Sequence, residues 1–169
     1  SYKSWSRKIM AFNSAVLQNV ADLPAGEVIT ASPYNVSAFE TFENGLIEGR
    51  FVKFDTESID QLDASATPVI AGIAKRKVTG EIGTGIYSTT GDAIDSVAEV
   101  INFGFATVTV TAAATPARYD AVNVVNAATA EAGKATDAAV AAGIISAGDV
   151  VFWGLKSTNV WLVRINKYL

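Results

Sequence analysis

The stretch "AEVINFGFATVTVT", residues 98–111, decides how this chain is read. Its second half alternates. Ala106, Val108 and Val110 point to one side, and Phe105, Thr107 and Thr109 to the other. Successive side chains leave an extended backbone on opposite faces, so a period of two marks a strand with one buried face. Val, Ile and Thr are frequent in it, and their stiff side chains suit a pleated surface better than a helix.

Working outward, the same grammar recurs in "EVIT" (27–30), "RFVKF" (50–54), "PVIAGIA" (68–74), "AVNVV" (121–125), "DVVFWGL" (149–155) and "NVWLVRI" (159–165). Gly, Pro, Asn, Asp and Ser punctuate the gaps between these runs. Short apolar runs with such punctuation predict a mainly β protein, an antiparallel β-sandwich or jelly-roll-like barrel. A parallel sheet would need helices of about 10–15 residues between strands. The one rival helix is "AATAEAGKATDAAVAAG" (127–143), where Gly133 interrupts and Val140 is the only bulky apolar residue. With so little to bury it is expected as an alanine-rich surface excursion. The last 21 residues predict a hairpin around "KSTN" (156–159), with Trp153 and Trp161 read as core and the final strand inside the sheet.

Residues 1–25 stand apart from the β-domain expected over 26–169. Lys3, Arg7 and Lys8 make this end basic, and Asp22 is its first acid. Tyr2, Trp5, Ile9, Phe12, Val16, Val20 and Leu23 recur every three or four residues before Pro24 and Gly26 close the segment. That spacing predicts an N-terminal arm that is partly helical, or an extended one whose large side chains plug a partner's pockets.

Composition narrows the function. The chain of 169 residues is 50% hydrophobic and carries a net charge of −4. A mildly acidic chain without a concentrated basic face is not expected to bind nucleic acid. No run reaches the roughly 18 apolar residues of a membrane span, so no membrane partner is expected. The start is unlike a secretory signal, and Ser1 fits loss of an initiator Met, so the chain is expected to be made and kept inside a cell. There is no Cys and no His. Thiolate chemistry, thiolate zinc sites and the commonest general base are therefore absent. Carboxylates, Lys and Tyr remain, and catalysis is not expected.

The motifs that invite chemistry fail on their details. Gly83 and Gly85 begin a G-x-G-x-x-G pattern, but Ser88 stands at its third glycine and no apolar helix follows. Asp55, Glu57, Asp60 and Asp63 suggest a calcium loop, yet Ser58 and Ile59 break the ligand spacing and Asp60 replaces the loop glycine. This acidic run is expected to be a solvated loop, with no metal and no cofactor. "KRK" (75–77) is too short for a nucleic-acid groove and is expected at a solvated edge or in ion pairs.

The ordered series Gly49-Arg50-Phe51-Val52, Gly72-Ile73-Ala74, Gly133-Lys134 and Val163-Arg164-Ile165 resembles the structural cement (capsid decoration) proteins of tailed bacteriophages, over roughly residues 25–166. The resemblance implies a non-enzymatic virion protein, made in the bacterial host cytoplasm and bound to the outer surface of the expanded icosahedral capsid. Its partner would be the major capsid protein, with homotrimers at three-fold or quasi-three-fold positions clamping neighbouring subunits against internal DNA pressure. The arm would suit an acidic capsid surface, with Lys3, Trp5, Arg7, Lys8 and Phe12 as capsid contacts. Three other readings remain open. A carbohydrate-binding or adhesive β-domain would show an exposed platform from Tyr34, Tyr87, Tyr119 and Trp153. A glycan hydrolase would need two facing carboxylates, and a tail-tube or head–tail joining protein would have a low copy number per virion.

Overall fold

The computed structural model describes residues 23–40, 46–76 and 97–167. Every strand in it is antiparallel to its neighbours, and the described residues contain no helix. The strands are β1 (Asn35–Glu40), β2 (Phe51–Asp55), β3 (Ser58–Gln61), β4 (Ile70–Ala74), β5 (Val97–Thr109), β6 (Ala121–Val125), β7 (Ala135–Thr136), β8 (Ile144–Ser157) and β9 (Val160–Ile165). They form one sheet in the order β3-β2-β4-β5-β9-β8-β6-β7, with β1 also on β5. The mainly β expectation holds. It is realised as a single sheet curled into a half-barrel.

The spine is β5, which changes partners partway along. Its first half pairs with β1 and β4, and from Gly104 onward it pairs with β9. Gly104 has φ +96°, and a Cβ there would lie 2.6 Å from the Pro33 carbonyl oxygen. The strand can bend between two sets of neighbours because this residue has no side chain. Beyond the bend the predicted alternation is realised. Ala106, Val108 and Val110 are buried. Thr107, read as outward, is covered because residues 26–29 run along this edge of β5. Its hydroxyl donates to the Pro24 carbonyl at 2.7 Å and accepts from the Glu27 amide at 2.9 Å.

Two apolar clusters follow from period two. Phe51, Ile73, Ile101, Ala106, Val108, Phe152, Val163 and Ile165 fill the inside of the curl. Leu46, Val52, Ile59, Ala74 and Val100 form a second cluster, with Phe39 and Phe54 edge-to-face at 5.2 Å beside it. Both faces of residues 71–74, the end of "PVIAGIA", are thus covered, which explains their unbroken apolar character, whereas Val69 before them is exposed. The acidic run departs from its reading as a plain loop. Asp55–Ser58 is a tight hairpin, with Thr56 at φ 57°, and β3 returns with Ile59 and Asp60 buried. The C-terminal hairpin forms with a tighter turn than "KSTN", and β9 lies between β5 and β8.

The far ends of the sheet meet at a seam. The Phe51 amide donates to the Gly133 carbonyl at 2.9 Å, and Arg50 Nη1 donates to the carbonyls of Ala130 and Ala132 at 2.6 and 3.1 Å. Asn126 accepts from the Ala64 amide at 3.0 Å and donates to the Ser65 carbonyl at 2.9 Å. The alanine-rich stretch is the closing edge as well as an excursion. Ala132, Ala135 and Thr136 are buried, where small side chains let backbones approach.

Beside the seam, Lys53 is buried and its ammonium donates to Asp63 and Ser65, each at 2.7 Å. Hydrogen bonds from Lys53 and from Ser65 hold the Asp63 carboxyl below its ordinary range. A depressed folded-state pKa stabilises the fold above the unfolded value of about 3.9, and that contribution is lost as pH falls through the folded value. At pH 7, Asp63→Asn is expected to lower the denaturation midpoint relative to wild type. Denaturant titrations in increasingly acidic buffer should show this gap closing below about pH 4; a constant gap would assign the loss to packing.

Candidate interaction surface

The outer face of β5, β9 and β8 carries the most unusual constellation of side chains. Cross-strand register places Phe105 opposite Arg164 and Arg164 opposite Val151. A bulge between Phe152 and Gly154 re-aims the chain at Trp153. Trp153 is therefore not in the core, contrary to its sequence reading. It is partly exposed on the outer face, whereas Trp161 packs on the inner cluster, edge-to-face with Phe152 at 5.6 Å.

Four side chains fix the Trp153 ring. Phe105 and Tyr119 meet it edge-on at 5.1 and 5.5 Å, and the guanidinium carbons of Arg118 and Arg164 lie 4.9 and 5.1 Å from its centroid. Arg118 Nε also donates to the Trp153 carbonyl at 3.0 Å. Tyr119 holds φ 74°, an unusual conformation for a bulky residue, and is 62% exposed. Next to the ring, Ile29, Ala31, Ser32, Phe105, Trp153, Lys156 and Leu162 line an apolar pocket of about 270 Å³. This arrangement presents an anchored aromatic, an apolar recess and three cations. It holds no nucleophile–base pair.

A second, more polar groove of about 390 Å³ runs along the seam past Asp60, Gln61, Asp63 and Thr129. Lys53 and Ser65 engage Asp63 and hold its carboxyl below its ordinary range, and Asp60 accepts from the Gln61 amide at 2.7 Å. No three carboxylates gather to hold a metal among the described residues.

The other sequence-derived positions are placed as follows. Lys3, Trp5, Arg7, Lys8 and Phe12 lie outside the described residues, as do Gly83, Gly85, Ser88, Tyr87 and Lys77. Lys75 and Arg76 pair with Glu99 at 3.2 Å and Glu27 at 3.3 Å, as expected of ion-pairing bases. Tyr34 and Tyr119 are exposed, but guanidinium groups already engage the Trp153 ring, so it offers no open stacking platform. Sequence reasoning missed Phe105, Arg118, Lys156 and Arg164. One signal was present: Phe105, Leu162 and Arg164 stand at outward positions of alternating strands, where a solvated face would carry small polar residues.

A family model described as XM1 gp53 minor capsid protein matches residues 12–167. A chain from the solved structure "The capsid of Myoviridae Phage XM1" is 70% identical in sequence, with a TM-score of 0.82 over 88% of this chain and 93% of that one. Among curated proteins none matches.

Proposed function

This chain belongs to the XM1 gp53 minor capsid protein family, and from that premise we propose that it is a non-enzymatic cement protein of the phage shell. It is a structural protein of the virion, associated with capsid components. The finer reading is that it binds the outer surface of the expanded icosahedral capsid and clamps neighbouring major capsid subunits. Homotrimers at three-fold or quasi-three-fold positions would then stabilise the shell against packaged DNA. The observation that carries this reading is the 70% identity to a capsid chain over 88% of this sequence.

The fold suits the task. A curled sheet whose ends are hydrogen-bonded together is a stiff body, and an arm reaching onto a neighbour enlarges the buried area beyond one patch. Many copies each adding modest binding energy across subunit boundaries raise the cost of opening the shell. Lys3, Trp5, Arg7, Lys8 and Phe12 are the arm contacts on this reading, with the three bases facing acidic capsid surface.

The test is co-sedimentation with expanded capsids of the phage that encodes the chain. Wild type is expected to bind saturably. A variant carrying Lys3→Ala, Arg7→Ala and Lys8→Ala should bind several-fold more weakly at low salt, with the difference shrinking as salt screens the charges. Equal binding at every salt concentration would remove the basic arm from the anchor. Absence of saturable binding by wild type would overturn the cement reading.

A further inference from the structure

The Trp153 face stands out because its charges are unanswered. Among the described residues, Lys53, Lys75, Arg76 and Lys134 each hold a carboxylate. Arg118 and Arg164 at the Trp153 ring, and Lys156 in the wall of the adjoining apolar pocket, form no ion pair among the described residues. Two polar atoms at the same place are buried without a hydrogen-bond partner: Ser32 Oγ, in the pocket wall, and Arg164 Nε, beside Trp153. Cations without an acid partner beside an apolar recess suit a ligand that brings carboxylates together with an apolar group.

The recess falls just under the range of about 300–1,000 Å³ typical of small-molecule sites, which suits a single side-chain anchor. Its floor is preorganised, because Phe105, Tyr119 and two guanidiniums already fix the Trp153 ring. Little side-chain freedom would be lost on binding, and Trp, Tyr and Arg are the residues that dominate interface energetics. The chain's own arm is a poor occupant, from the same copy or another, since Lys3, Arg7 and Lys8 would face three further cations.

We infer that this face docks an acidic–apolar segment of a neighbouring capsid protein, with one apolar side chain in the pocket and carboxylates on Arg118, Lys156 and Arg164. The inference rests on the cement reading and adds a second anchor, on the β-domain, independent of the arm.

Three full-length variants test it by co-sedimentation with expanded capsids lacking this protein. The double reversal Arg118→Glu/Lys156→Glu removes the charge complement. Ala31→Trp, at an exposed position, plugs the recess and leaves the charges in place. Lys167→Glu reverses an exposed charge elsewhere. The first two should raise the half-saturation concentration at least about tenfold, and the third should leave it unchanged. Wild-type binding should weaken with salt more steeply than that of the double reversal. Thermal melts verify folding, and if the double reversal does not fold, Ala31→Trp decides alone.

Saturable wild-type binding that the first two variants match would overturn the docking face and leave the cement reading intact. If wild type itself does not bind, both fall. Should the variants instead abolish self-association of the free protein, the occupant is a second copy, and the capsid segment is wrong.

Discussion

Gly49→Ala is expected to lower the thermal midpoint by roughly 10 °C, measured by calorimetry or circular dichroism. Gly49 has φ +76°, and a Cβ there would lie 2.2 Å from the Ala25 Cβ and 2.9 Å from the Gly26 amide nitrogen. The left-handed conformation costs a non-glycine residue about 1–2 kcal/mol, and forcing atoms into a packed site about 1–3 kcal/mol more. For a chain of this size each kcal/mol moves the midpoint by about 2–4 °C. The site cannot relax easily, because four segments meet on it. The Gly49 amide donates to the Ala74 carbonyl and its carbonyl accepts from the Thr109 amide, both at 2.8 Å, while Gly26 accepts from the Arg76 amide at 2.8 Å.

Two companion variants separate strain from clash. Ala25→Gly removes the nearest atom and should rescue Gly49→Ala only in part, since the φ angle and the Gly26 backbone remain. Gly154→Ala, with nothing within 4 Å of its Cβ, should stay within about 0.5 kcal/mol of wild type. A Gly49→Ala protein that melts like wild type would show that the four segments can separate without cost. The same residue has a functional consequence, because Ala25 and Gly26 lie where the arm joins the β-domain. If the arm anchors the protein to a capsid, this crossing transmits the load.

What could be read in the sequence was what depends on neighbours along the chain. Alternation around Val108 gave a strand, the apolar "PVIAGIA" gave a buried one, and the two runs around Thr158 gave a hairpin. What could not be read depends on contacts between distant residues. Nothing near Gly104 says that β5 exchanges β1 and β4 for β9 there. Nothing near Asn126 says that it reaches Ser65, 61 residues earlier. The alanine-rich stretch lacked the apolar side chains that mark a core, because its buried atoms are backbone and methyl groups packed against β2. Trp153 was misplaced for a related reason: one bulge shifts the parity of β8, and period-two counting has no means of detecting an extra residue. The candidate surface inherits that difficulty. Its cations come from the loop before β6 and from β8 and β9, and only the curl and the bulge bring Arg118 and Arg164 to one ring and Lys156 to the pocket beside it.

The seam supplies the second large effect. Arg50→Ala is expected to cost about 2–3 kcal/mol, the range for losing a hydrogen bond from a charged group and leaving its acceptors unmet. Arg50 Nη1 spans the Ala130 and Ala132 carbonyls, 80 and 82 residues away in sequence. Burial lowers the Arg50 pKa while the Glu131 carboxylate opposes this, so the guanidinium sits partly desolvated between carbonyls that need it. Arg50→Lys should recover only a fraction, because its ammonium is more strongly hydrated and must reach the same two carbonyls on a shorter, more flexible stem. The loss should be local first. Amide hydrogen exchange is expected to speed up at Phe51 and Thr111, which donate to Gly133 and Ala135 across the seam. Amides between β5 and β9 should keep most of their protection, because opening one edge of a sheet needs less free energy than unfolding its centre. Uniform acceleration throughout would mean that the seam does not open separately and that the half-barrel unfolds as one unit. A seam that opens alone would instead locate the weakest part of the body: a contact between β2 and a run of alanines, held by one arginine, one asparagine and a few backbone hydrogen bonds. If the protein cements a capsid, load across its sheet would part the seam before the core, and capsids decorated with Arg50→Ala should then release it under milder denaturant than wild type.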